Sequence, residues 1–158
     1  MTHVDVIEAI AQKIVALWPD RTLYRDFCPV NFDRPSGFLY VQEAGFTDVN
    51  AGLVQWKMQA ELMLFASTKD YNEESTEQLR ADQAAALSQF GGPGLPVGDR
   101  NVIVYAMADA PGPCEAYVTF TASWHDARPG YVDAEAEPGE GSLGTPMMEQ
   151  FAINSNVT

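Results

Sequence analysis

The sequence predicts an α+β fold: a mainly antiparallel sheet of about five strands with two helices packed on one face. Three observations carry this. Residues 53–66 (LVQWKMQAELMLFA) alternate strictly, with Val54, Trp56, Met58, Ala60, Leu62 and Leu64 on one parity and Gln55, Lys57, Gln59 and Glu61 on the other. Period two means a strand with one dry and one wet face. Residues 115–125 (EAYVTFTASWH) repeat the pattern, with Tyr117, Thr119, Thr121 and Ser123 on the wet side. Two further segments carry helical spacing, one before the long strand and one after it.

Taken in order, residues 3–18 form the first helix. Val6, Ile10, Ile14 and Leu17 fall on one stripe, widened by Ile7. Thr2 suits the N-cap, Asp5 sits where a capping-box acid would, and Pro19 ends the helix. A short strand follows at Leu23–Phe27, then a proline-rich loop (CPVNFDRPSG), then a strand at Phe38–Glu43. Residues 44–52 (AGFTDVNAG) read as a loop leading into the long strand. Residues 73–90 return to helical spacing through Leu79, Gln83, Ala86 and Phe90, and Gly91-Gly92-Pro93-Gly94 stops them. The run GGPGLPVG at 91–98 reads as a linker. Val102–Ala108, a Pro-Gly-Pro turn and the strand from Glu115 complete the order: helix, three strands, helix, two strands.

The core pattern ends at Trp124, so residues 1–125 are expected to be one α+β domain. Residues 126–158 form an acidic, Gly/Pro-rich tail or arm with six acids against Arg128 alone. Such composition offsets its ordering entropy poorly without a partner. Composition favours a disordered tail; MMEQFAI, with Met147 and Phe151, is the one apolar piece within it and keeps open the alternative of an arm that orders on a neighbour.

Lys and Arg number 9 against 22 Asp and Glu, a net charge of −13. This charge repels phosphate backbones and anionic membrane surfaces, so neither specific nucleic-acid binding nor membrane binding is expected. No signal-peptide pattern opens the chain and no run approaches a membrane span. Cys28 and Cys114 lack metal or redox spacing and read as separate thiols in a reducing compartment.

A search for chemistry finds none that assembles. His3 and His125-Asp126 could share a metal only if the first helix met the last strand. No nucleophile elbow accompanies His125, and the Gly-rich run lacks the Lys-Ser/Thr of a phosphate loop. Glu73 and Glu74 suit a helix start. Trp18, Trp56 and Trp124 all fall on dry faces. The expectation is a protein that is not an enzyme and needs no cofactor or metal. The polar sheet surface (Gln55, Lys57, Gln59, Glu61, Tyr117, Thr119) is read as solvent-facing or as a subunit contact, with Arg34, the 43–52 loop, Met147 and Phe151 as further contact candidates.

Residues 3–125 resemble the tail terminator (tail completion) proteins of long-tailed bacteriophages and prophages. The likeness rests on the amphipathic helix ending in LWPDRTLY, with Pro19 and Tyr24 at P-x-x-x-x-Y spacing, on the aromatic-then-proline loop from Phe32 to Pro35 before Phe38, on the long strand WKMQAELMLFA, and on the closing pair NVIVYAMA and EAYVTFTASW. The resemblance implies a structural virion protein, assembled in the host bacterial cytoplasm. It implies a self-assembled ring, a hexamer, that ends the tail tube, meets tube protein on one side and the head connector on the other, and lets DNA pass without specific binding. Readings that stand beside it are another neck or tail-associated ring protein, a small-ligand-binding α+β domain, and an acidic DNA mimic.

Overall fold

The computed structural model describes residues 1–69 and 73–131. The chain is α+β, with eight elements in order: α1 (His3–Leu17), β1 (Thr22–Arg25), β2 (Ser36–Asp48), β3 (Leu53–Phe65), α2 (Glu73–Ser88), β4 (Leu95–Val97), β5 (Arg100–Ala108) and β6 (Glu115–Ala127). The strands make one sheet in the order β1-β2-β3-β6-β5-β4. It has six strands where about five were expected, and it is mixed, because β1 pairs parallel to β2 while the other pairs are antiparallel.

The alternation of β3 and β6 sets the core. The two pair without interruption from Leu53↔Ala127 to Phe65↔Glu115. Their even residues Met58, Ala60, Leu62, Leu64, Ala116, Val118, Phe120 and Ala122 are buried. Both helices cover this face and touch each other. α1 contributes Val6, Ile7, Ile10, Ala11 and Ile14, the predicted stripe with Leu17 half-buried. The Thr2 backbone N–H donates to Asp5 Oδ2 (2.7 Å) and holds that carboxyl below its usual range.

α2 is held differently. Its buried residues are Ser75, Leu79, Asp82, Gln83 and Ala86, an unusually polar set. Each polar anchor has a partner suited to it. Arg21 grips Asp82 with both terminal nitrogens (2.7 and 3.2 Å) and lies over the Trp18 ring. Gln83 Nε2 donates to the carbonyls of Asp109 (2.8 Å) and Tyr117 (2.9 Å), tying the helix to β6 and to the residue that follows β5. Phe90, just past the helix, packs on Phe120 at 4.8 Å between ring centroids.

β1 ends at Arg25 and α2 at Ser88, each two residues short of the sequence reading, and three further boundaries also differ from it. Residues 91–98 are not wholly a linker: Leu95 and Val97 are buried and pair with Val102 and Arg100 as β4, leaving Pro96 exposed between them. Residues 44–48 are strand rather than loop, and a register shift between Val41 and Glu43 places Gln42 as the extra residue of a bulge. β6 runs two residues past His125. Beyond it Arg128 clasps the β2–β3 turn, donating to the carbonyls of Ala51 (2.9 Å) and Asn50 (3.1 Å) and pairing with Asp48 (2.8 Å). The Tyr131 ring lies where a Cβ on Gly52 would come within 3.0 Å. Cys28 and Cys114 are free thiols, half-buried and buried.

Asp126 faces the helix side and bonds the N-terminal amine at 2.7 Å. Burial alone would raise its pKa, but the amine, the Ala127 N–H and Arg100 outweigh it and hold the carboxyl low. Two outcomes follow. Phe120→Ala is expected to lower unfolding free energy by about 3–5 kcal/mol in denaturant titrations. A chain ending at His125 is expected to unfold at lower denaturant than one ending at Tyr131, by roughly 1.5–3 kcal/mol, because it loses the Asp126 and Arg128 charge-assisted bonds.

Candidate functional site

The face of the sheet opposite the helices carries no helix or strand among the described residues; the loop holding Phe32 and Arg34 covers only its Phe65 end. The odd residues of β3 and β6 lie on it, so Gln55, Lys57, Gln59, Glu61, Tyr117 and Thr119, the residues singled out from sequence, share one surface. β2 and β5 extend it on either side through the cross-strand pairs Tyr40↔Glu61, Gly45↔Lys57, Tyr105↔Thr121 and Ile103↔Ser123.

The centre of this face is a hydrogen-bonded polar network. The Tyr40 hydroxyl donates to Glu61, Gln42 Nε2 donates to the other Glu61 oxygen (2.9 Å), and Gln59 Nε2 donates to Gln42 Oε1 (2.8 Å). Alternation puts Gln42 on the same side as Tyr40, and the bulge after it brings Glu43 to that side as well, opposite Gln59. Tyr117 donates to Glu115 Oε1 at 2.9 Å. Burial, then the Glu115 carboxylate, pushes the Tyr117 phenol up to about 12. The bond to Glu61, then burial, raises Tyr40. Lys57 is exposed and forms no ion pair among the described residues.

Beside the network runs an apolar stripe absent from the sequence-based site. Ile103, Tyr105 and Met107 are 57%, 69% and 63% exposed on consecutive same-face positions of β5. The signal was present: VIVYAMA is apolar on both parities, which ordinarily marks a strand covered on both sides. Here Val102 and Val104 are buried under the helices while their odd neighbours face solvent.

Both edges of the sheet are also partly open among the described residues. β1 pairs with β2 only from Ser36 to Leu39, leaving Tyr40–Asp48 without a strand beyond it. β4 pairs with β5 only from Arg100 to Val102, leaving Ile103–Ala108 likewise. A shallow hollow along the β2 edge is lined by Glu43, Gly45, Phe46, Thr47, Gln55 and Lys57.

The remaining expectations fall elsewhere. Arg34 is engaged inside the subunit: Nη1 donates to the carbonyls of Ala66 (3.2 Å) and Thr68 (3.4 Å), and the guanidinium lies over Phe32 and Phe65. Met147 and Phe151 lie outside the described residues. The first helix and the last strand do meet, through Asp126 and the N-terminal amine, but His125 sits on the opposite face of β6 from Asp126. Among the described residues no group of three or more His, Cys, Asp or Glu is placed to hold a metal, and no helix is long and apolar enough to cross a membrane.

No protein-family model matches this chain, and no curated protein matches it.

Tyr117 provides a check on the open face. Its proton is held more tightly folded than unfolded, so its contribution to stability is complete below about pH 10 and is lost as pH rises through about 12. Phenolate absorbance is expected to show late transitions from Tyr40 and Tyr117, above the ordinary tyrosine range. Tyr117→Phe is expected to remove one of these late transitions.

Proposed function

We propose that this chain is a structural subunit that assembles with copies of itself into a ring, as a tail-terminator protein does at the head-proximal end of a long phage tail. The observation that carries the reading is the uncovered sheet face with its exposed stripe Ile103, Tyr105 and Met107. Three large apolar side chains in a row on an open face gain by being covered, at about 25 cal/mol per Å² of apolar surface removed from water.

The surface chemistry supports assembly in preference to catalysis. Hydroxyls and amides make up much of the face, beside Glu61, which already accepts two bonds, and exposed Lys57. A wall poor in cations suits a channel through which DNA slides, because cationic contacts are what hold DNA. The likeness in element order and turn chemistry over residues 3–125 adds the tail tube and the head connector as the neighbours of such a ring.

The full chain at high concentration is expected to run as a closed oligomer, a hexamer, by multi-angle light scattering, and to stop growth of tail-tube protein when mixed with it. A chain that stays monomeric both alone and with tube protein overturns the reading. Rings that leave tube growth unchanged would assign the chain to the other neck and tail rings.

A further inference from the structure

We infer that copies join edge to edge, the free stretch of β5 in one copy (Ile103–Ala108) adding as a strand beside the free stretch of β2 (Tyr40–Asp48) in the next. This rests on the ring reading and names its contact. The occupant of each open edge is a second copy of this chain.

Polarity comes first. β2 is antiparallel to β3, β3 to β6 and β6 to β5, so β2 and β5 run in opposite directions. Rotating a copy about an axis roughly along the strands brings its β2 beside the first copy's β5 in antiparallel orientation, the more stable ladder. No strand has to be inverted.

Height comes second. Following the register across the sheet, Ile103 is level with Gly45 through Ser123 and Lys57. Tyr105 is level with Glu43 through Thr121 and Gln59, and Met107 is level with Tyr40 through Thr119 and Glu61. The unpaired parts of the two edges therefore sit at the same height. β4 blocks the β5 edge at Val102, level with Phe46, and β1 blocks the β2 edge up to Leu39, level with Ala108, so the open windows overlap over Tyr40–Gly45.

Charge comes third. A chain of −13 repels its copies, so a contact has to avoid bringing acid against acid. Residues 101–108 contain no charged side chain. In the facing window Asp48 is already paired with Arg128, and Glu43 lies near exposed Lys57. Ile103–Ala108 also lacks the proline, bulge or charge by which exposed edges are usually guarded. The joint is head-to-tail, using two different surfaces, and such a joint makes rings when its rotation closes.

Disulfide trapping tests this in the full chain with Cys28→Ser. Tyr105→Cys is combined in turn with Glu43→Cys, Gly45→Cys or Thr47→Cys, all on the open face, or with Ala44→Cys on the helix face. A Cβ at Gly45 meets nothing within 4 Å, so that position accepts a side chain. Antiparallel neighbours lie about 4.5–5.5 Å apart at Cα, within disulfide reach. The expected result is a ladder of covalent multimers for at least one open-face pair, and none for the Ala44 pair or for either single variant. Tyr105→Glu is expected to keep the circular dichroism spectrum and reduce the oligomer at least tenfold. Oligomers by light scattering with no ladder from any open-face pair overturn the edge joint while leaving the ring reading standing. Monomers throughout overturn both.

Discussion

The rest of the structure hangs on the uninterrupted antiparallel pairing of β3 with β6. Both strands are thirteen residues long and stay in one register from end to end. That register fixes which side chains face the helices and which do not, since one residue of slip would exchange the two faces. It also places Trp56 against Trp124, stacked at 5.9 Å with planes only 3° apart. The dry face, the open face and the heights of the outer strands are all consequences of this single ladder.

A length mismatch follows from it. A thirteen-residue strand spans about 43 Å, whereas the fifteen residues of α1 span about 22 Å. Neither helix spans the strand alone, and it is the N-terminus of α1 that reaches the tip, where the Met1 amine bonds Asp126 and Val54 is fully buried. Aromatic side chains complete the dry surface there: His3 meets Trp56, Trp56 meets Trp124, and Phe46 packs on Trp56 at 5.0 Å. The β2–β3 turn at the tip is held instead by polar bonds. Asn50 Oδ1 accepts from the N–H groups of Gly52 and Leu53, and Arg128 clasps the turn's carbonyls. The tip of the sheet is thus held by rings on its dry side and by hydrogen bonds at its turn.

What could be read from the sequence follows the same physics. α1, β3 and β6 were legible because their periodicity is unbroken over many residues. α2 was legible even in its polar member Gln83, since spacing rather than hydrophobicity marked the stripe. β2 was cut short at Glu43, which breaks the alternation, because a bulge reverses parity and imitates a strand end. β4 was hidden among glycines and prolines, with only Leu95 and Val97 to mark it. The polar half of the open face was legible residue by residue, but its apolar half was not. A strand apolar on both parities reads as fully buried, and only the sheet order reveals that β5 has one face and one edge uncovered.

An open edge of this kind carries a hazard, since any extended chain can add to it. The acidic balance resolves the conflict between being sticky and being soluble. Charge repulsion acts at long range and in every orientation, whereas backbone pairing acts only when two edges meet with matched polarity and height. Random collisions between copies carrying −13 are therefore discouraged, and the edge contact we propose is one in which an uncharged stretch is presented. Raising ionic strength weakens the first effect and leaves the second nearly untouched. The same charge that argues against gripping nucleic acid thus favours an ordered association of this chain with itself over an indiscriminate one.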